Sequence, residues 1–127
     1  SGVKGISGVS SDIREVEAGI REGNERCKLA MEMYDYRIKK YIGAYAAAMG
    51  GVDIVVFTAG VGEHQWDVRQ GAVEDLEFMG IKVDTEKNKK NFGEEEIIST
   101  PDSKVKVVVV PTDEELLIAS DTLDLVK

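Results

Sequence analysis

The sequence predicts an α/β fold in which a small mixed or parallel sheet is covered by helices. Residues 54–57 read Ile-Val-Val-Phe, an unbroken β-branched and aromatic run of strand length, and residues 107–110 are four consecutive valines. Such unbroken runs predict strands that are buried on both faces, as in a parallel sheet between helices. Elsewhere apolar residues recur at helical spacing, so helices are expected to alternate with the strands.

The first half of the chain is predicted to be helical. Residues 1–11 are rich in glycine and serine and predict a loop, after which Asp12 and Glu15 form a capping box for a helix that ends at Gly23. From residue 24 to residue 49 a wide apolar stripe predicts a helix of about seven turns, closed by the glycine pair at 50–51. The stripe is expected to pack in the core or against a subunit; it contains Cys27, Ala30, Tyr34, Ile38, Tyr41, Ile42, Tyr45 and Met49.

The second half is predicted to contain both strands. A small, glycine-rich turn over residues 58–63 follows the first strand, and an apolar series then predicts a helix that ends at Gly80: Val68, Ala72, Leu76 and Met79. We expect a short extended segment at 81–84, a polar helix or loop at 84–91, a weak strand at 96–100 and a turn at Pro101. A strand over 104–110 follows, and Thr112 with Glu115 predicts the start of a last helix.

Length and composition predict a single domain in a protein of the reducing cytosol. The chain has 127 residues, of which 43% are hydrophobic and 31% charged, and its net charge is −8. A surface this acidic disfavours nucleic acid and anionic membrane as partners, so a phosphate ligand is expected to arrive with a cation. The single cysteine, Cys27, allows no disulfide, and no signal peptide or apolar span of about 18 residues is present. We therefore expect a cytoplasmic protein.

Polar residues lie at the ends of three predicted elements, where α/β proteins bind ligands. They are residues 12–14 at a helix start, residues 60–64 after the first strand, and residues 113–115 after the last strand. The two strand ends are expected to open on the same edge of the sheet. Glycine backbone for phosphates and a carboxylate for Mg²⁺ are the minimum needed to hold a nucleoside triphosphate. The alternatives are that the glycines only turn a corner and that the carboxylates only cap helices.

The number of strands predicts an incomplete domain. A covered parallel sheet normally has more than two strong strands and one weak strand. The long apolar helix also needs a surface that this chain barely supplies. We therefore expect the 127 residues to be one part of a longer protein.

Long runs of residues carry a resemblance to a known family. Essentially the whole chain resembles the C-terminal third of acetate kinase, in the sugar kinase/Hsp70/actin superfamily, whose ATPase domains are actin-like and ribonuclease H-like. The matching runs are SGVKGISGVSSDIRE, EGNERCKLAMEMYDYRIKKYIGAYAAAMGGVD, VFTAGVGEH, LEFMGIKVD, STPDSKVKV and VVPTDEELLIASDT.

The resemblance implies a function and a set of binding residues. It implies a kinase that uses ATP and Mg²⁺ to phosphorylate acetate, giving acetyl phosphate and ADP, and that forms homodimers through this half. The residues that match the nucleotide site are Asp12, Ile13, Arg14, Gly60, Val61, Gly62, Glu63 and His64, and Glu114 matches the carboxylate of the Mg²⁺ site. The family's catalytic residues match no residue here, so these 127 residues alone are expected to be inactive.

Two residues depart from the family pattern, and two other functions remain open. Ile13 stands where an aromatic residue is usual, and His64 stands where asparagine is usual, so the contact of that asparagine is not carried over. One alternative function is that of a propionate or butyrate kinase. The other is a non-catalytic dimerisation or interaction module built around the helix over 24–49.

Overall fold

The computed structural model describes residues 13–112, with side chains from residue 15 onward. The chain divides into two compact units, residues 1–51 and residues 52–127. The first unit is helical and the second holds the sheet, as the sequence predicts. The predicted loop at residues 1–11 and the predicted last helix after Thr112 lie outside the described residues.

The described residues of the first unit form two helices, α1 (Ile13–Arg21) and α2 (Glu25–Met49). Asn24 starts α2, because its side-chain oxygen accepts hydrogen bonds from the backbone N–H groups of Arg26 and Cys27 at 3.0 and 3.2 Å. Gly50 ends it in the left-handed conformation, with φ of 76°. Both predicted helices and their boundaries are therefore confirmed over the described residues.

The apolar stripe of α2 is only partly buried. Its N-terminal part packs on α1, where Val16, Cys27 and Ala30 are at most 1% exposed. Along the rest of α2, large apolar side chains are exposed, namely Met33, Tyr36, Tyr41, Tyr45 and Met49. Over the described residues of the first unit, the expected packing in the core is thus wrong for the C-terminal part of the stripe, whereas the alternative of packing against a subunit stays a prediction.

In the part of the second unit that the structure describes, three strands form a mixed sheet. Its strands are β1 (Ile54–Thr58), β2 (Glu96–Ile97) and β3 (Lys106–Val110), in the order β1-β3-β2. The strands β1 and β3 are parallel and in register from Ile54 opposite Lys106 to Thr58 opposite Val110, whereas β2 is antiparallel to β3. The predicted α/β fold with a small mixed sheet is confirmed.

Within the described residues, β1 is more exposed on one face than on the other. Side chains of paired residues point to the same face, so Phe57 shares a face with its partner Val109, and both are buried. On the opposite face Ile54 and Val56 are 44% and 47% exposed. The prediction that β1 is buried on both faces is therefore wrong over the described residues: its apolar run fits a strand between two layers, but the face with Ile54 and Val56 is exposed.

The helices of the second unit are short. They are α3 (Val61–His64), α4 (Trp66–Val73), a 3₁₀ turn (Glu77–Met79) and α5 (Thr85–Lys90). The prediction of one helix from residue 68 to Met79 is wrong, because the chain leaves α4 after Val73 and Asp75 adopts a φ of 66°. Aspartate tolerates this left-handed conformation better than most residues. Leu76 still reaches the core, at 4% exposed.

The remaining connections agree with the sequence except for one short strand. Asp84 caps α5 by accepting hydrogen bonds from the N–H groups of Glu86 and Lys87, each at 3.1 Å. The extended segment at 81–84 forms single bridges from Ile81 and Val83. The weak strand predicted at 96–100 is reduced to β2 and a bridge at Ser99. Within the described residues, no helix is long and apolar enough to cross a membrane.

The packing of α1 on α2 depends on the absence of a side chain at Gly19. A Cβ atom at this position would lie 2.5 Å from Sγ of Cys27. We expect Gly19→Ala to lower the free energy of unfolding by about 1–3 kcal/mol, measured by urea denaturation with circular dichroism. Because Cys27→Ala removes the sulfur, the double variant should lose less than the sum of the single variants; additive losses would contradict this packing.

Candidate functional site

The segments that follow β1 and β3 meet at one edge of the sheet. The last residues of these parallel strands, Thr58 and Val110, are paired. The glycine loop, defined here as residues 59–64, therefore leaves the sheet beside the segment that starts at Pro111. A direct hydrogen bond between Thr112 and Glu63 joins the two. This confirms the prediction that both strand ends open on the same edge.

The backbone of the glycine loop is strained and open on one side. Ala59 and Gly60 both have positive φ, at 58° and 46°, a conformation that disfavours a side chain. A Cβ atom on Gly60 would meet no atom within 4 Å, whereas one on Gly62 would lie 3.4 Å from the backbone carbon of Phe57. Gly60 thus leaves room in front of the loop, whereas a Cβ atom on Gly62 would make ordinary contact with β1.

Glu63 points its carboxylate into the protein. One carboxylate oxygen, Oε1, accepts hydrogen bonds from the Ala59 N–H at 3.1 Å, from the Thr112 N–H at 2.6 Å and from the Thr112 hydroxyl. The residue is only 8% exposed. The hydrogen bond from the Thr112 hydroxyl is the largest cause of the lowered pKa of Glu63, because it stabilises the ionised form. The carboxylate therefore holds the loop and the segment after β3 together.

His64 connects the glycine loop to a second turn. Its Nδ1 atom lies 2.8 Å from the carbonyl oxygen of Phe92; a carbonyl only accepts, so Nδ1 carries a proton and donates it. The other ring nitrogen, Nε2, lies 3.3 Å from the Glu63 carboxylate. A Cβ atom on Gly93 would lie 2.9 Å from the ring, so glycine is needed there. His64 therefore joins residues 92–93 to the loop.

A buried arginine, Arg69 of α4, braces the glycine loop from behind. Its Nη1 atom donates to the carbonyl oxygens of Gly62 and Glu63 at 3.1 and 2.7 Å. Its Nη2 atom donates to the carbonyl oxygens of Asn88 and Asn91 at 2.9 and 2.7 Å, and Nε to the Asn88 side chain at 2.6 Å. Arg69 is 0% exposed, and burial lowers its pKa. Five hydrogen bonds therefore join the loop, α5 and the turn after it.

Sequence reasoning missed Arg69 and its partners Asn88 and Asn91. A usable signal is present, because Arg69 shares the spacing of the apolar face of its helix. It lies three, four and seven residues before Ala72, Val73 and Leu76, all of which are buried. A charged residue in a series with this spacing predicts a buried, hydrogen-bonded charge.

The other residues matched to the nucleotide site lie in the first unit or outside the described residues. Ile13 and Arg14 form the first turn of α1, in the first unit, and Asp12 lies outside the described residues. The acidic residues 113–115, which include Glu114, also lie outside them. Across residues 13–112, no three His, Cys, Asp or Glu side chains are grouped closely enough to hold a metal ion.

Comparison with protein families identifies the chain. A model described as the acetokinase family matches residues 1–120. The chain belongs to the acetokinase family. A relative named acetate kinase from Bacteroides thetaiotaomicron is 68% identical over 127 residues, which are 100% of this chain and 32% of the relative. The chain thus spans about a third of the length of the curated relatives that it matches.

Solved structures of the acetokinase family show the same fold. The crystal structure of acetate kinase from Porphyromonas gingivalis matches 100% of this chain and 32% of its own, with a TM-score of 0.87 and 63% identity. A propionate kinase from Francisella tularensis matches 94% of this chain and 30% of its own, with a TM-score of 0.77 and 34% identity. The predicted membership of the acetate kinase fold, in the actin-like ATPase class, is confirmed.

Loss of the buried guanidinium should destabilise the second unit. In Arg69→Met the carbonyl groups of Gly62, Glu63, Asn88 and Asn91 lose a buried donor, so we expect the free energy of unfolding to fall by about 3–5 kcal/mol. Urea denaturation measures this loss. Arg69→Lys should recover only part of it, since one ammonium lacks the planar fork of donors. The exposed Arg21→Met is the control, and a loss in Arg69→Met as small as the control's would contradict the bracing role.

The lowered pKa of Glu63 predicts a dependence of stability on pH. The unfolded chain protonates Glu63 at a higher pH than the folded chain does. The stability that ionised Glu63 contributes to the folded state is therefore present above the usual glutamate pKa of about 4.3. It is lost as the pH falls through the folded pKa. We expect the unfolding free energy of Glu63→Gln to change less between pH 5 and 3, an interval of about two units around that pKa, than that of the wild type.

The control for this pH experiment is Glu74→Gln, since Glu74 is exposed. Asp102, whose pKa is lowered to about 2 by its hydrogen bond with Lys82, contributes with the same sign but is present in every variant. The difference between Glu63→Gln and Glu74→Gln therefore isolates Glu63. If the unfolding free energy changed with pH to the same extent in the two variants, the pKa of Glu63 would not differ between the folded and unfolded states.

Proposed function

We propose that residues 1–127 form the C-terminal, nucleotide-binding part of an acetate kinase. The complete enzyme would transfer the γ-phosphoryl group of ATP to acetate and give acetyl phosphate and ADP. The observation that carries this proposal is the glycine loop, which is open in front of Gly60 and braced behind by Arg69 and Glu63. In a member of the acetokinase family, such a loop at the carboxyl edge of parallel strands fits a nucleotide.

Each residue of the proposed nucleotide site has a distinct role. The backbone of Gly60, Val61 and Gly62 would lie beside the adenosine and the α-phosphate, since the space in front of Gly60 can receive a ligand. The Glu63 carboxylate and the His64 ring already bind protein groups. The side chains of these two residues would therefore act by holding the shape of the loop. Only the main chain of the two residues would lie near the nucleotide.

The binding roles proposed for residues in the first and last segments come from the family resemblance. Asp12, Ile13 and Arg14 would contact the nucleotide, and Glu114 would bind Mg²⁺. When bound, ATP supplies the phosphoryl group and Mg²⁺ neutralises charge on the phosphates. Residues that bind acetate and promote transfer would lie in the two thirds of the relatives that this chain does not cover. These 127 residues alone would therefore bind nucleotide without turnover.

Two further functions have specific support. A propionate kinase is among the solved structures with this fold, but its identity of 34% is lower than the 63% of the acetate kinase structure, so we favour acetate as acceptor. Dimerisation is supported by the exposed apolar side chains along α2, such as Tyr36, Tyr45 and Met49. We propose a cytoplasmic homodimer in which this surface pairs, with no nucleic acid or membrane partner.

Titration of ATP with Mg²⁺ tests the nucleotide site. We expect Gly62→Val to weaken binding at least about tenfold, a difference of about 1.4 kcal/mol, because its methyl groups would be forced against the Phe57 backbone. Gly62→Ala is the matched control, since a Cβ there makes ordinary contacts of 3.4–3.7 Å. Glu114→Ala should weaken binding only when Mg²⁺ is present, whereas the exposed Glu74→Ala should leave it unchanged. Isothermal titration calorimetry measures all four variants.

Assays of turnover and assembly separate the competing functions. The full-length protein should form acetyl phosphate, with a higher kcat/KM for acetate than for propionate, and residues 1–127 alone should form none. Acetyl phosphate made by the 127 residues alone would contradict the proposed division of the enzyme. If neither protein binds ATP but both sediment as dimers, the chain is an interaction module instead.

A further inference from the structure

The ring of His64 lies between two acceptors, one at each nitrogen atom. Its Nδ1 atom is 2.8 Å from the carbonyl oxygen of Phe92, and its Nε2 atom is 3.3 Å from Oε2 of Glu63. A Cβ atom on Gly93 would lie 2.9 Å from Cε1 and 3.1 Å from Nδ1, so the turn at residues 92–93 packs directly on the ring. These contacts leave the ring little freedom to turn over and exchange its two nitrogen atoms.

Both acceptors are satisfied only when the ring carries two protons. A carbonyl oxygen only accepts, so Nδ1 donates to Phe92, and in a neutral imidazole Nε2 then carries a lone pair. That lone pair would face the ionised carboxylate of Glu63, which also only accepts. In the imidazolium both nitrogen atoms donate, so a second proton replaces this unfavourable contact with a charge-assisted hydrogen bond.

The charges around His64 favour this doubly protonated form. The pKa of Glu63 is lowered, chiefly by the hydrogen bond from the Thr112 hydroxyl, so the carboxylate stays ionised and the second proton belongs on the ring. The pKa of Glu94, in the turn after α5, is lowered mainly by backbone N–H groups and in smaller part by positive charge on His64. Against these two acids, the buried cation Arg69 directs donors to the carbonyl oxygens behind the loop.

His64 connects the turn at residues 92–93 to the part of the glycine loop that is open to a ligand. Its backbone N–H donates to the carbonyl oxygen of Gly60 at 3.0 Å, and a Cβ atom on Gly60 would meet no atom within 4 Å. The turn is held on its own side, because the Phe92 N–H donates to the Glu94 carboxylate at 2.8 Å. A hydrogen bond from the ring to Phe92 therefore ties the open part of the loop to a turn that is already fixed.

We propose that His64 is a positioning residue whose doubly protonated ring holds the glycine loop in its nucleotide-binding shape. This inference rests on the proposed function, since it needs a nucleotide at the glycine loop. Histidine takes up its second proton between about pH 5 and about pH 8. Because a shape that favours the nucleotide also favours the charged ring, the two binding equilibria are linked. Nucleotide affinity therefore falls as the pH rises through this interval.

Calorimetric titration of the full-length protein with ADP, between about pH 5 and about pH 8, measures this dependence. His64→Asn is the reference, because its amide can donate to the Phe92 carbonyl but does not titrate. Since a phosphate also titrates in this interval, the measured quantity is the ratio of the wild-type affinity to the affinity of the variant at each pH. We expect this ratio to fall at least about fivefold as the pH rises. The ratio to the exposed Glu74→Gln should stay constant.

Glu63→Gln tests whether the carboxylate is the group that selects the charged ring. A side-chain amide can either donate to Nε2 or accept from it, so both protonation states of His64 would be satisfied. Relative to Glu74→Gln, most of the pH dependence of ADP affinity should be lost in this variant. The comparison also tests the inference if His64→Asn does not fold.

Adenosine separates positioning from direct attraction of the phosphates. It carries no phosphate, so a cationic ring has no opposite charge to attract, and the shape of the loop remains as the influence of His64. We expect the ratio of wild-type to His64→Asn affinity to fall with rising pH for adenosine as it does for ADP. A fall for ADP alone would contradict the positioning role.

Two further results would overturn the inference. One is a ratio of wild-type to His64→Asn affinity that does not change with pH, and the other is an undiminished pH dependence in Glu63→Gln. In either case the wild type still binds ADP, so the proposed function stands while the inference fails. If the wild type binds no ADP at any pH in the interval, the proposed function fails together with the inference.

Discussion

The second unit depends on one positive charge that is buried among neutral oxygen atoms. Removing a guanidinium from water is costly unless its donors are satisfied. Arg69 satisfies this condition with four backbone carbonyls and one side-chain amide, and acidic residues nearby, Asp67, Glu94 and Glu96, favour its charged form. The acceptors belong to α3, α5 and the turn after α5. The Arg69 guanidinium therefore determines how these short segments pack, because its buried donors require these acceptors.

This arrangement separates the two sides of the glycine loop. On one side, Arg69 donates hydrogen bonds to the carbonyl oxygens of Gly62 and Glu63. The Glu63 carboxylate accepts a hydrogen bond from the N–H of Ala59. Charged groups thus hold a backbone that includes an alanine at positive φ, a conformation that persists only when its surroundings impose it. Protein groups thus hold the loop in one shape, and a loop that is already ordered loses less conformational entropy when a ligand binds.

Much of the fold follows from local sequence patterns, whereas the site follows from contacts across the chain. The caps at Asn24 and Asp84 and the parallel strands could be predicted, because each depends on residues close in sequence or on an unbroken apolar run. The length of α4 could not, since its spacing fits a longer helix and the break depends on the conformation of Asp75. The open face of β1 could not be predicted either, because an apolar run does not reveal what covers it.

The site shows the same limit more sharply. The glycines of the loop and the carboxylate of Glu63 stand out in the sequence, but a glutamate in a loop reads equally well as a ligand contact or as a structural group. Only the position of Thr112, 49 residues away, shows that the carboxylate is already engaged. Likewise, the single histidine at position 64 is visible in the sequence, but its contact with the carbonyl oxygen of Phe92 is not.

The position of β1 has a consequence for how these 127 residues behave alone. In the described part of the sheet β1 is an edge strand, and it combines a free row of main-chain hydrogen-bonding groups with exposed Ile54 and Val56. An edge of this kind, without charged or proline residues over 54–58, is a template for the addition of further strands. Produced in isolation, the polypeptide would be prone to aggregate through this edge strand. A neighbouring structural layer that covers the strand would prevent such association.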